Sequence, residues 1–307
     1  MSGGIAPLVG FLAAAVRIGT PLLWAAAGEV LAERAGVINL SVEGSMLAGC
    51  LGAAIGAHTT GNPWIGMVAG FTAGAIVALG FAVVAIWART DQIIAGTALT
   101  MASVGVTGLI YRQATSGQAA GLSVVTLEPL LLPGLSTIPF VGPVLFAQPV
   151  PTYLAGIAVV LIWVVLYRTT LGLKLRAAGE AAEAARAQGV RVRLIQTGAV
   201  LVGGALAGIG GATLVLAQVG TFAERMTAGR GFIAIAIVVL GRWHPAGIAL
   251  AALAFGAATA VQYVFQAMAL DVPYQFFLML PYLLALAALT GVAGRVRAPS
   301  GLGRTVD

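Results

Sequence analysis

Residues able to do covalent or metal chemistry are scarce in this chain. Its 307 residues include one cysteine and two histidines. Cys50 lies in an apolar run, so it offers neither a disulfide framework nor a cysteine-based metal site. His58 and His244 are far apart, lack ligand spacing and read as loop residues. No His/Asp/Glu cluster or nucleophile–base pair marks a catalytic centre. No G-x-x-x-x-G-K-[ST] stretch supplies a phosphate-binding loop, so no nucleotide, metal or other cofactor is expected in the chain itself. What remains is hydrogen-bonding chemistry. Asn39, Ser41 and Glu43 interrupt one apolar stretch, and Gln92, Thr97 and Thr100 open another. Such groups can bind a hydroxylated solute or one another across helices, and their spacing serves both uses.

Charge is the second resource. The chain is only 8% charged, yet eight of its 26 charged residues fall between Arg168 and Arg193. Within that loop, Glu180 to Gln188 is almost entirely strong helix formers and Gly189 is a natural stop. The expectation is one helix of about ten residues, ~15 Å at ~1.5 Å per residue, too short and too polar to span a bilayer. Glu180 and Ala184 would share a face, as would Glu183 and Ala187. Acidic residues near its start, with Arg191 and Arg193 past its end, suit the helix dipole. An alanine-faced helix of this kind can seat in a groove of a partner, and it equally suits a solvated connector.

The elements that must position these groups are membrane helices. The chain is 60% hydrophobic with 42 glycines, and its mean hydropathy is +1.01. Soluble domains carry roughly 25% charged residues. Apolar runs reach the ~20 residues a helix needs to cross a bilayer. They cover residues 5–32, 43–60, 63–88, 92–111, 152–168, 194–217, 246–268 and 273–293, with a shorter run at 231–241. The fold class is therefore an all-α polytopic membrane protein. About eight to ten spans are expected in one transmembrane domain over 1–307, including one or two broken or re-entrant segments. The net charge of +6 reads as positive-inside bias and not as a nucleic-acid surface. The 168–193 loop is then cytoplasmic, and the Pro-rich 113–151 stretch extracytoplasmic. Parity puts the N-terminus outside, unless a break near Gly36 reverses it. The first residues lack a basic region and Arg17 interrupts the first run, which argues against a cleaved signal peptide.

Two interruptions stand out. A helix continuing through "AERAGVINLSVEGSM" (32–46) would carry Glu33 and Arg34 into hydrocarbon. Gly36 and Gly44 suit an unwound segment there, and an ordinary loop between spans suits the residue count. In "ERMTAGRGFIAIAIVVLGRWHPAG" (224–247), a short apolar stretch framed by Arg230 and Arg242 reads as a half-helix. Paired interruptions of this sort are a transporter pattern. The small-residue run "GGALAGIGGA" (203–212) fits close helix packing or a buried bend.

Four blocks in order carry a family resemblance. "ERAGVINLSVEGSMLAG" is similar to E-R-x-G-V-x-N-[IL]-x-x-E-G-M-M-L, and "TDQIIAGTALTMASVG" to N-E-V-I-x-G-x-A-L-N. "LGLKLRAAGEAAEAARAQGV" is similar to G-x-x-L-R-A-x-G-E-N-P-x-A-A-x-x-x-G-I. "AGRGFIAIAIVVLGRWHPAG" is similar to G-x-G-[FY]-x-[AG]-[IL]-A-V-A-[IL]-L-G-x-x-x-P-x-G. These are blocks of permease subunits of ATP-binding-cassette importers, in the branch for branched-chain amino acids, ribose-type sugars and nucleosides. The wording lies nearest the nucleoside type, with simple sugars second.

The resemblance implies that Glu180 to Gly189 is a coupling helix docking into a cytosolic ATPase, which itself binds ATP and Mg. Gly179, Glu180, Glu183, Ala184, Ala185, Arg186 and Gly189 would form that contact. The family's Asn-Pro after the glutamate is Ala181-Ala182 here, and Ser45 stands where many relatives have Met. Further implied partners are a second permease subunit, identical or similar, and an extracytoplasmic substrate-binding protein. The implied location is the bacterial inner membrane. A stand-alone transporter driven by an ion gradient is the alternative. It needs ionisable residues at mid-membrane depth, and the spans are read as nearly free of them, with Asp91 and Asp271 at ends.

Overall fold

A computed structural model describes residues 5–115, 122–267 and 298–304, together with the isolated positions 279, 283 and 286. The expected span 273–293, with Asp271, Arg295 and Arg297, lies outside the described residues. The described chain is helical almost throughout. Helix α1 (Ile5–Arg34) is followed by an unwound stretch, α2 (Val42–Thr60), α3 (Pro63–Phe81) ending in a π-helical turn, and α4 (Gln92–Thr115). A small hairpin, β1 (Pro129–Leu131) and β2 (Ala147–Pro149), brackets the short α5 (Val141–Leu145). Then come α6 (Val150–Arg168), α7 (Thr170–Glu180), α8 (Ala182–Ala187), α9 (Val192–Leu214, extended by a π turn to Val219), α10 (Arg230–Leu240) and α11 (Pro245–Ala267).

Local sequence explains several boundaries. Asn62 accepts the Trp64 N–H at 2.9 Å with Pro63 at the first helical position, a favourable start for α3. Thr169 does the same for α7, accepting from Gly172 N at 3.1 Å. Among the described residues, six helices are long and apolar enough to cross a membrane, and α10, at 11 residues, is a half-length helix. Six of the seven expected spans through residue 268 have such a helix, the seventh, 43–60, is matched by α2, a helix outside those six, and the chain is a multi-pass membrane protein.

Helix α9 is the hub. Its small-residue run stays helical, so close packing, not a bend, is its role. Gly203 meets Gly28 of α1, Gly208 meets Gly49 of α2 and Gly70 of α3, and Gly211 meets Met46 of α2, backbone against backbone. A Cβ at Gly208 would lie 2.3 Å from the Gly70 carbonyl oxygen. Lipid tails are as apolar as leucine, so these helices gain by backbone approach and not by excluding water. Gly208→Leu should therefore be destabilising by about 1–3 kcal/mol or more, since rigid backbone must move. A lowered Tm and poor yield of the detergent-purified protein would register it.

The connections segregate to two ends. At one, Arg34 meets Trp243, Gly36 meets Gly179, and Gln92 meets Arg304. At the other, Ala13 accepts from Gln148, Arg17 from Gln218, Ser123 pairs with Thr221, and Arg112 bridges Glu224. The first end carries the basic 168–193 loop. The start of α1 belongs with the opposite end. The Arg112 guanidinium, hydrogen-bonded to Glu224, holds that exposed carboxyl below its usual range.

Candidate translocation and coupling site

An unwound stretch joins α1 to α2 at Gly36, while Gly44 lies inside α2, and this stretch adjoins the half-helix α10. The backbone unwinds at Gly36 (φ +90°) and runs to Ser41 with Gly36, Val37, Asn39 and Ser41 buried and Ile38 and Leu40 half-buried. An unwound stretch away from water must find partners for its peptide groups. Here side chains from three helices supply them. Gln196 of α9 donates to the Ala35 carbonyl at 3.1 Å, and Gln92 of α4 accepts the Ile38 N–H at 2.8 Å. Glu29 of α1 accepts the Asn39 N–H at 3.0 Å, and Thr100 of α4 donates to the Leu40 carbonyl at 3.1 Å. Asn39 Oδ1 accepts from both the backbone and the hydroxyl of Ser41. Gly96 makes the approach possible, because a Cβ there would sit 2.6 Å from Leu40 Cβ.

Glu43, in the first turn of α2, reaches the second interruption. Its Oε1 accepts from Thr227 Oγ1 at 2.6 Å and Gly229 N at 2.9 Å, and its Oε2 accepts from Gly231 N at 2.6 Å. The two backbone donors, Gly229 and Gly231, lie at the N-terminus of α10, the positive end of its dipole, and the Thr227 hydroxyl precedes it. One carboxylate thus caps the half-helix from a different helix. The far end of α10 is held equally firmly. Arg242 and Trp243 both take left-handed backbone, at φ 56° and 52°, a conformation that side chains disfavour unless surroundings hold it. The Trp243 indole donates to Glu33, and its carbonyl accepts from Arg34 Nε at 3.1 Å. Arg34 also donates to the Tyr167 hydroxyl at 3.2 Å.

Of the six polar candidates, Asn39, Ser41, Gln92 and Thr100 surround the unwound stretch and Glu43 adjoins it. Thr97 stands apart, partly exposed, with its hydroxyl donating to Ile93 of its own helix at 2.9 Å. Most of this hydrogen-bonding capacity goes to the protein's own backbone. Buried exceptions here are Asn39 Nδ2, Glu29 Oε2, Glu33 Oε1 and Ser45 Oγ, which have no partner in the structure.

Glu29 is the residue that the sequence reading missed. It lies inside the first span and is fully buried, one helical turn before the buried Glu33, so the spans are not nearly free of ionisable groups. The signal was present, a carboxylate eight residues after Pro21 in an apolar run. Gln196 and Trp243 carried no comparable signal, because their importance depends on which backbone groups they face.

The segment expected to form the coupling helix differs from expectation in one respect. No single helix runs from Glu180 to Gln188. Helix α7 already spans Thr170–Glu180, the chain breaks at Ala181 (φ −150°, ψ 77°), and α8 has only six residues. The tertiary cause is two residues upstream. Gly179 seats its backbone against α1, where a Cβ would lie 2.2 Å from the Arg34 carbonyl oxygen. Glu180 consequently ends α7 and does not share a face with Ala184. Its carboxylate accepts from Ser300. In α8 only Ala185 is buried, while Glu183, Ala184 and Arg186 are exposed. Gly189 (φ +80°) closes the helix, donating to the Arg186 carbonyl at 2.8 Å.

Ala181 and Ala182 occupy the N-cap and first helical positions of α8, and Ala181 provides no side-chain cap. These are the positions that asparagine and proline suit best. Ala181→Asn with Ala182→Pro should stabilise α8 by about 0.5–1 kcal/mol. Slower amide exchange over 182–187, with function retained, is the expected readout.

Comparison with known proteins shows the family of the chain. The family model described as "Branched-chain amino acid transport system / permease component" matches residues 11–289. The chain is 35% identical over 302 residues to the guanosine ABC transporter permease protein NupQ of Bacillus subtilis, covering 92% of each. It is 38% identical over 261 residues to the putative glucose ABC transporter permease protein TsgC13 of Haloferax volcanii, covering 85% of this chain and 79% of that one. It is 32% identical over 293 residues to the nucleoside ABC transporter permease protein NupC of Lactococcus lactis, covering 92% of each. No solved structure matches the chain. A bundle of apolar helices with two interrupted segments, matched along most of its length to this one model, belongs to the branched-chain amino acid transport system permease family, as a transport subunit of the ATP-binding-cassette class.

Proposed function

We propose that this chain is the membrane permease of an importer for nucleosides, with simple sugars as the second substrate class. It sits in a bacterial inner membrane and pairs with a second permease. A cassette ATPase docks on α7–α8 from the cytoplasm, and a binding protein delivers solute at the end that carries the β1–β2 hairpin. ATP-driven closure of the cassettes moves α8, and the spans alternate between outward and inward access. Asn39, whose side-chain amide N–H groups have no protein partner, is the residue we assign to the solute path, beside Ser41, Gln92 and Thr100.

One observation carries the coupling role. Helix α8 buries Ala185 and half-buries Ala182 against its own chain and leaves Glu183, Ala184 and Ala187 exposed, on the end rich in Lys and Arg. A helix that short gains little stability by itself, so an exposed small-residue face suits a groove in another subunit. The nucleoside preference is supported by the block wording and by the relatives named for guanosine and nucleosides.

The test is reconstitution of the permeases with their ATPase and binding protein in proteoliposomes. ATP-dependent accumulation of labelled guanosine, competed by other nucleosides and weakly by glucose, is the expected result. Uptake that follows an ion gradient without ATP would overturn it. Glu29→Gln separates the two mechanisms further. Glutamine keeps an acceptor for the Asn39 N–H, so ATP-driven uptake should persist, whereas carriage of a proton or cation on that carboxylate would be abolished.

A further inference from the structure

Residues 298–304 lie beyond the stretch that the family model matches, yet they bridge the end of α7 and the unwound stretch. The segment is folded into turns, with Leu302 N–H donating to the Pro299 carbonyl at 3.0 Å and Arg304 N–H to Gly301 at 3.2 Å. On one side it holds the end of α7. Gly301 N–H donates to the Gly179 carbonyl at 2.8 Å, and the Ser300 N–H and hydroxyl donate to Glu180 Oε2 at 3.2 and 3.1 Å. On the other side it holds the unwound stretch and the start of α4. Gly303 N–H donates to the Gly36 carbonyl at 3.1 Å, and the Arg304 carbonyl accepts from Gln92 Nε2 at 3.5 Å. Leu302 packs against the core cluster that contains Leu31, Leu175 and Trp243. Glycine is required for the fit, since a Cβ at Gly301 would lie 2.8 Å from the Gly179 oxygen.

We propose that the 298–304 segment is a tie that transmits displacement of α7–α8 to the unwound 35–41 stretch and to α4. Its positioning residues are Ser300, Gly301 and Gly303. The argument is mechanical. Gly179 touches Arg34 and Gly36 directly by backbone packing. Close packing resists α7 being pushed toward α1 but does little when α7 is pulled away, because dispersion falls off within an ångström of contact. Hydrogen bonds from one short segment to both partners resist both directions. A two-stroke cycle needs both, since the coupling segment must return as well as advance. The tie presupposes the coupling role proposed above for α7–α8.

The experiment uses the full transporter with its ATPase, comparing the native chain, a chain ending at Ala298, Gly301→Pro and Ser300→Thr. Membrane insertion, co-purification of the ATPase, ATP hydrolysis and solute uptake are measured for each. Gly301→Pro removes the donor to Gly179 in an otherwise complete chain, so it decides the matter if the shortened chain fails to insert. Both disrupted forms should assemble and hydrolyse ATP while solute moved per ATP falls by about fivefold or more. Ser300→Thr keeps both donors to Glu180 and should match the native ratio. An unchanged ratio in the disrupted forms overturns the tie. So does loss of ATPase association in both, which would make the segment part of the docking surface. If the native chain instead moves solute without ATP, the coupling role itself falls, and the control shows this independently of the variants.

Discussion

Glu43→Ala is expected to unseat α10 and abolish uptake. The carboxylate accepts from Thr227, Gly229 and Gly231, and it is the side chain that caps α10 from across the site. Removing it strands buried N–H donors, and hydrogen bonds to a charged acceptor are worth about 1.5–3 kcal/mol each. Such terms are not additive among neighbours, so a total loss of about 3–5 kcal/mol is the expected scale, as for breaking a buried charged pair. Local water can replace some of it, but Glu43 is 93% shielded from solvent, at 7% exposure. Glu43→Gln keeps an acceptor and the shape but loses the charge that the helix N-terminus favours, so it should fall between native and alanine. A graded series in Tm and in uptake, native above Gln above Ala, is the measurement. Equal behaviour of Ala and native would remove Glu43 from any account of the site.

The second large effect is at α8, and it should leave the fold intact. Gly189→Pro asks a residue restricted to φ near −65° to adopt +80°, and it removes the N–H that closes on Arg186. Glu183→Arg reverses an exposed charge in the first turn, where the helix dipole favours an acid. Both positions are exposed, so membrane insertion and Tm should barely change. Uptake should fall by about tenfold or more, as expected for losing a central contact worth ~2 kcal/mol at an interface. Co-purification of the ATPase should weaken in parallel. Normal uptake by both variants would remove α8 from the coupling contact.

These effects differ in how visible they were in the sequence. The α8 residues announced themselves, because polar helix formers ending in glycine contrast with apolar surroundings. The break at Ala181 did not, since alanine has high helix propensity and the cause is Gly179 pressed against Arg34 from a distant helix. Asn39, Ser41 and Glu43 were conspicuous as polar residues in an apolar run, but what they bond was not. Glu43 belongs to the N-terminus of α10, more than 180 positions away. Glu29 was overlooked inside an apolar run, and its meaning is clear only beside the Asn39 N–H. The 298–304 segment, rich in glycine and bare of any motif, had no signal at all.

Composition and periodicity by themselves determined the solvent, the helical class, the approximate spans and the two interrupted stretches. Each follows from one rule that acts locally: backbone polar groups in lipid must be satisfied within the segment, so an apolar run of sufficient length becomes a helix. Tertiary structure alone decided how the interruptions are repaired, because an unwound peptide takes its partners from whichever helix lies alongside. Glu29, Gln92, Thr100 and Gln196 complete the backbone of residues 35–40, and Glu43 completes that of α10. That pairing is a property of three-dimensional neighbours, brought close by the glycines of α9.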